Sequence, residues 1–237
     1  MYFKILDNLI NFFFPRVCFS CGNDVEFDFI NPLCRECYKK LDFIENFYCR
    51  ICGRKIDNGD ICFLCLREKR PNFSFLRSVF MYNDQIASLI IAYKYHNHKY
   101  LYKWFSKKLY ERFLNYPELR EYDSITYIPL SKRKLKKRGF NQTQLIAKDF
   151  SNKTGLFFLE NISQKIKETR NQVELSKEER KENLKDAFII VDEKKIYDKK
   201  IIVIDDVSTT MSTLNEFSKI LIEKGAKKVS CFTIARE

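Results

Sequence analysis

Ile201-Ile202-Val203-Ile204-Asp205-Asp206-Val207-Ser208-Thr209-Thr210-Met211-Ser212-Thr213 is the most informative run in the chain. Its four leading aliphatics read as a strand buried on both faces. Two adjacent carboxylates follow where that strand is expected to end. Of the five residues from Thr209 to Thr213, four carry small hydroxyls. Leu214, Phe217 and Leu221 then share one helical face, and Gly225 closes the helix. Val229 to Ile234 supplies a second apolar run. This strand–loop–helix–strand unit implies a parallel sheet with a right-handed crossover.

In open parallel sheets ligands bind beyond the carboxyl ends of the strands, where Asp205 and Asp206 are expected. Hydroxyls and unpaired N–H groups at a helix N-terminus suit a phosphate. Carboxylates suit sugar hydroxyls or Mg²⁺. The loop lacks the GxxxxGK[ST] pattern of a P-loop. The thirteen residues resemble the phosphoribosyl-pyrophosphate (PRPP) loop of type I phosphoribosyltransferases. By that resemblance Asp205 and Asp206 hold the ribose hydroxyls, and Thr209, Thr210, Ser212 and Thr213 hold the 5-phosphate, with Mg²⁺ accompanying PRPP. Met211 stands where that family has Gly. A non-Gly residue in the conformation Gly allows costs on the order of 1–3 kcal/mol, so weaker phosphate binding is expected.

The 237-residue chain has room for one substantial domain and a small one. Its 45% hydrophobic and 31% charged content reads as soluble and globular. A net charge of +12 suits an anionic partner, a phosphorylated small molecule or nucleic acid, though solvated lysines spread over the surface give the same sum. No uncharged apolar run is long enough to span a bilayer, so a cytoplasmic protein without a transmembrane segment is expected. Ile5, Leu9, Phe12 and Phe13 recur at helical spacing, which predicts an amphipathic first helix rather than a signal peptide.

Eight of the nine cysteines form CxxC pairs: Cys18/Cys21, Cys34/Cys37, Cys49/Cys52 and Cys62/Cys65. Two such pairs per metal give two Cys₄ zinc sites, structural because four thiolates leave no open position. Consecutive pairing makes tandem ribbons; crossed pairing makes a FYVE-like or RING-like module. The motif Cys18-x-x-Cys21-Gly22 recurs 31 residues later as Cys49-x-x-Cys52-Gly53, a duplication that favours consecutive pairing. A zinc-ribbon region over 1–66 and a second domain over 78–237 are expected, joined by a basic, polar linker over 66–78.

A strand is predicted at Ser78–Tyr82, a helix carrying Ile86, Leu89, Ile90 and Tyr93, and a second helix over Leu101–Phe113. His96 and His98 lie between these helices and read as a solvated or phosphate-facing loop. Ser124–Leu130 is a predicted strand. It is followed by a run in which six of the seven residues from Lys132 to Arg138 are basic. At a strand's carboxyl end such a loop clamps diphosphate or a nucleic-acid backbone. Asn141 caps a helix that Gly155 ends. Residues 165–183 read as a mobile excursion, and Ala187–Val191 as the next strand.

Together these blocks resemble one family, the ComF competence proteins. The opening Pro15-Arg16-Val17-Cys18-x-x-Cys21-Gly22 is similar to that family's. So is Tyr93-Lys94-Tyr95, though His96 and Asn97 replace Arg and Gly. Ile128-Pro129-Leu130 through Arg138-Gly139-Phe140-Asn141-Gln142 is similar to a third block. Thr169, Gln172, Leu175, Arg180, Asn183 and Phe188 match a fourth. The resemblance implies a type I phosphoribosyltransferase-like α/β fold, a parallel sheet flanked by helices, behind a Cys-rich zinc-ribbon region. It also implies a role in natural transformation, handling single-stranded DNA alongside a helicase-like partner. Lys94, Arg133 and Arg138 are the candidate cations for diphosphate. No general base is in the obvious place, because Thr209 stands where purine-salvage relatives carry Asp. Two readings follow: phosphoribosyl transfer to an unknown acceptor, or a non-catalytic module that grips nucleotides or single strands.

Overall fold

A computed structural model describes residues 17–25, 31–167 and 184–237. The predicted first helix and the matching block from Thr169 to Asn183 lie outside them.

The two CxxCG motifs fold alike. In the first, Cys18 N–H donates to Asn23 O at 2.7 Å and Gly22 N–H to Cys18 O at 2.9 Å. In the second, Cys49 N–H donates to Arg54 O at 2.8 Å and Gly53 N–H to Cys49 O at 2.9 Å. The flanking bridges Val17↔Asp24 and Tyr48↔Lys55 keep the same offset. Each ribbon's second CxxC pair opens a one-turn helix, α1 (Arg35–Lys39) after Cys34 and α2 (Phe63–Arg67) after Cys62.

Past the ribbons come β1 (Leu76–Met81), α3 (Asp84–Tyr95), α4 (Leu101–Phe113), β2 (Ser124–Tyr127), α5 (Lys132–Arg138), α6 (Gln142–Thr154) and β3 (Phe157–Phe158). Then follow β4 (Ser163–Lys165), β5 (Phe188–Ile190), α7 (Glu193–Ile196), β6 (Lys200–Ser208), α8 (Ser212–Glu223) and β7 (Lys228–Arg236). Five strands form one parallel sheet in the order β1-β7-β6-β2-β3. Alternate residues of β6 face opposite layers, as strand geometry requires. Ile202 and Ile204 pack with Leu89, Leu109, Ile146 and Phe150 on the α3, α4 and α6 side. Ile201 and Val203 pack with Leu214, Phe217 and Leu221 of α8.

Three local expectations are corrected, and the predicted strand at 187–191 forms outside the main sheet. β6 does not stop before the acids: it runs through Asp205 and Asp206 to Ser208, because β7 is equally long and pairs with it as far as Ser208↔Arg236. The basic run is a helix, not a loop. Ser131 Oγ accepts from Lys134 N–H at its start, and Gly139 turns left-handed at φ 78° to end it. The supposed linker belongs to the folded body: Phe73, Phe75 and Leu76 are buried, and Ser74 N–H donates to Val229 O. Residues 188–190 do not join the main sheet but pair antiparallel with β4.

β2 leads through α6 to β3 on one side, and β6 through α8 to β7 on the other. Strand order therefore reverses between β2 and β6, where a crevice for ligands opens. β2 ends opposite Ile204, so Asp205 and Asp206 project past it into that crevice while still paired with β7.

Candidate functional site

Because strand neighbours alternate, the two acids look to opposite sides. Asp206 is buried on the α3/α6 side. Its Oδ2 accepts from Lys94 Nζ at 2.8 Å and from Gln142 Nε2 at 2.9 Å, and its Oδ1 from Val207 N–H at 2.7 Å. Burial alone would raise its pKa, but the Lys94 ammonium and the Gln142 amide hold it below the usual carboxylate range. Half-buried Asp205 accepts from Asp206 N–H at 2.9 Å through its Oδ1. Burial, then the charge of Asp206, pushes its pKa up to about 7.

Arg138 donates to Gln142 Oε1 and lies over the Tyr95 ring at 5.2 Å, so Arg138, Gln142, Asp206 and Lys94 form one connected array. Arg133 sits on the exposed side of α5. Gln142 was not among the residues the sequence singled out as ligands. Its signal was there, directly after the Asn141 cap at the head of α6.

Past Ser208 the chain turns into α8 through Thr209, Thr210 and Met211. Met211 takes the left-handed conformation, φ 63° and ψ 0°, and serves as the N-cap position of α8. The loop therefore adopts the backbone that Gly would permit, despite carrying a side chain. That side chain packs against Cys49, Ile51 and Cys52 of the second ribbon and against the α8 side of the core. Thr210 and Ser212 hydroxyls bond to each other at 2.9 Å. Residues 205 and 207–214 enclose about 20 Å³, room for about one water. A roomier cleft of about 510 Å³ lies elsewhere, between the second ribbon and the body, and its Arg77 and Glu118 are bonded to each other. Its other arginine, Arg50, is likewise paired, with Asp60 at 3.2 Å.

Arg236 is a second residue the sequence reading missed. It ends β7 and is only 2% exposed. Its Nη1 donates to Ser208 O at 2.8 Å and to Thr209 O, and its Nε to Cys52 O at 3.1 Å. Only a cation closing an otherwise apolar run hinted at it. In the loop between α3 and α4, His96 is exposed, while the half-buried His98 ring meets Phe19 of the first ribbon edge-on at 4.7 Å.

The cysteines gather consecutively, Cys18/Cys21/Cys34/Cys37 and Cys49/Cys52/Cys62/Cys65, with all Sγ atoms of a group within 4.8 Å of one another. Cys21 and Cys34 Sγ lie 3.6 Å apart, as do Cys52 and Cys62. Tetrahedral Zn–S bonds of about 2.3 Å place sulfurs about 3.8 Å apart, so both sets fit Zn²⁺. Burial pushes the Cys37 thiol up to about 12, which a divalent cation must overcome to bind it as thiolate.

These features define a class: a helix-flanked parallel α/β protein with a double zinc ribbon beside an acid-and-hydroxyl loop at the sheet's switch point. Residues 9–66 match the family model described as a double zinc ribbon domain. The chain is 30% identical to competence protein F of Haemophilus influenzae, covering 96% of this chain and 100% of that protein. It is 30% identical to competence protein ComFC of Bacillus subtilis over 86% of this chain and 84% of the relative. It is 26% identical to the DNA utilization protein YhgH of Escherichia coli over 94% and 97%. The chain belongs to the ComF competence-protein family. Among the described residues no helix is long and apolar enough to cross a membrane.

Proposed function

We propose that this protein binds PRPP with Mg²⁺ at residues 205–213 and acts in DNA uptake during natural transformation, as the names of its relatives suggest. The observation that carries the site is Met211 in the left-handed conformation. It gives residues 209–213 the bend of a phosphate loop at the head of α8, with two carboxylates on the strand before it. Thr209, Thr210, Ser212 and Thr213 would take the 5-phosphate, and Asp205 and Asp206 the ribose hydroxyls. Mg²⁺ would neutralise the diphosphate and help it leave. Lys94 now neutralises Asp206. A diphosphate would draw Lys94, with Arg133 and Arg138, and so release Asp206 to the sugar. Charge stabilisation and positioning of this kind are the main catalytic resources for displacing diphosphate from the anomeric carbon.

A second reading is supported by α5. Its cations, with Arg138 over the exposed Tyr95 ring, form a basic surface beside a ring open to stacking. Such surfaces hold single-stranded DNA through phosphate contacts and stacking, with or without turnover at the loop. The helicase-like partner belongs with this reading.

Calorimetric titration of Mg²⁺ and PRPP tests the first reading. Binding to the parent is expected, with loss in Asp205→Asn/Asp206→Asn. Asp205 must be ionised to accept hydroxyls, so affinity is expected to rise as pH rises through about 7. A silent titration in the parent at pH 8 would leave the DNA-binding reading in its place.

A further inference from the structure

We infer that the second zinc centre sets the conformation of the hydroxyl loop, with Arg236 and Met211 as the positioning residues that connect them. Cys52 is both a ligand of that centre and the acceptor, through its carbonyl, of Arg236 Nε at 3.1 Å. The same guanidinium holds Ser208 O at 2.8 Å and Thr209 O, the two carbonyls that lead into the loop. One buried cation therefore spans the metal knuckle and the loop. Met211 makes a second connection: its side chain lies on Cys49, Ile51 and Cys52 while its own backbone forms the left-handed bend.

The knuckle's geometry depends on the metal. The Cys49–Arg54 turn, closed by Cys49 N–H to Arg54 O, carries the Cys52 carbonyl between two thiols that converge with Cys62 and Cys65. When the metal leaves, Arg236 loses a fixed acceptor and keeps a buried charge. Met211 loses the packing that offsets its unfavourable backbone. Both changes favour relaxation of residues 208–213. The first ribbon contacts the body through Phe19 and Tyr38 on the α4 side, away from the loop.

Hydrogen exchange read by mass spectrometry on the full chain tests this, with zinc content measured in parallel. In Cys62→Ser/Cys65→Ser, peptides covering residues 207–214 are expected to exchange at least ~10-fold faster, while Ile201–Ile204 amides stay protected. Cys34→Ser/Cys37→Ser should leave the loop at its parental rate. Arg236→Gln and Met211→Ala should loosen the loop with both zincs retained, and Arg236→Lys should recover part of the protection. Unchanged loop exchange in the second-ribbon and Arg236→Gln variants overturns the inference. So does equal acceleration from the first-ribbon variant, or loosening that spreads evenly into β6. PRPP affinity in the same variants rests on the function proposed above. A parent that binds no PRPP defeats that reading and leaves the exchange result intact.

Discussion

The first ribbon leans on α4, where Lys108 Nζ bonds the Tyr38 hydroxyl at 2.9 Å and Glu111 at 2.8 Å, and on the loop before it, where Phe19 meets His98. The second presses on β1, where Leu76 N–H donates to Ile51 O at 2.8 Å and the buried Arg77 bonds Arg50 O at 3.0 Å and Glu118 at 2.8 Å. The backbone of the knuckle is the same in both. What differs is the neighbour, and with it the consequence of any change. Duplication copied the metal site; only one copy came to rest against the candidate ligand loop.

The glycines after the first CxxC of each ribbon give the sharpest way to break this comparison. Both have positive φ, 77° at Gly22 and 68° at Gly53. A Cβ on Gly22 would meet nothing within 4 Å, whereas one on Gly53 would lie 2.5 Å from Leu76 O. Gly22→Ala should cost only the backbone strain, about 1–2 kcal/mol. Gly53→Ala adds overpacking against a strand backbone and should cost about 2–5 kcal/mol, read from denaturant midpoints. Equal losses would mean that the two settings do not matter.

Next in size are the anchoring cations. Arg77 is packed among Tyr48, Phe75 and Tyr116 and bonds two carbonyls and a carboxylate. Arg77→Ala should destabilise by about 3 kcal/mol, since it strips a buried pair. Lys108→Ala should cost about 1–2 kcal/mol, because Glu111 remains half-exposed and hydrated. Thermal unfolding of the two variants should rank them in that order.

The smallest effect is a pH response at the contact between the first ribbon and the loop ahead of α4. Burial, then the neighbouring His96, holds the His98 pKa below its ordinary 6.5. The neutral ring is favoured in the folded chain, and the unfolded chain takes the proton more readily. Stability is thus complete above about pH 6.5 and declines as pH falls below it. His98→Phe should flatten that decline by less than about 1 kcal/mol, the scale of one ring pair, in urea titrations at pH 5.5 and 7.5.

Much of this was legible in the chain. The CxxCG repeat gave both metal sites and their order, since thiol spacing is covalent and local. The β6 signature gave the parallel sheet, because burial on both faces leaves a continuous apolar run, and it marked the acid–hydroxyl loop as the candidate site. The ends of elements were less visible. β6 continues through two acids because β7 supplies its partners, a fact held more than twenty residues away. Helix α5 carries no apolar stripe, and its Ser131 cap and Gly139 stop were outweighed by the run of like charge. Lys94 was read as a cation for an anionic ligand; its pairing with Asp206 was not visible, because the two lie far apart in the chain. Arg236 carried no motif of its own, and Gln142 lay inside a recognised block without a role, since both roles arise only where distant segments converge.

The segment between the two metal sites also lies along the free edge of β1. Ile44 N–H donates to Val79 O at 3.0 Å, Met81 N–H to Asp42 O at 2.8 Å, and Phe43 bridges Phe80. β1's partner in the sheet is β7, the last strand, with Leu76 opposite Cys231. During synthesis β1 must therefore wait for nearly the whole body before its inner side is paired. Its outer side need not wait, because the covering segment and both short metal loops emerge first. Nascent chains in a zinc-replete cell would thus carry a half-protected strand through the slow, long-range step of folding, when bare strand edges most readily aggregate.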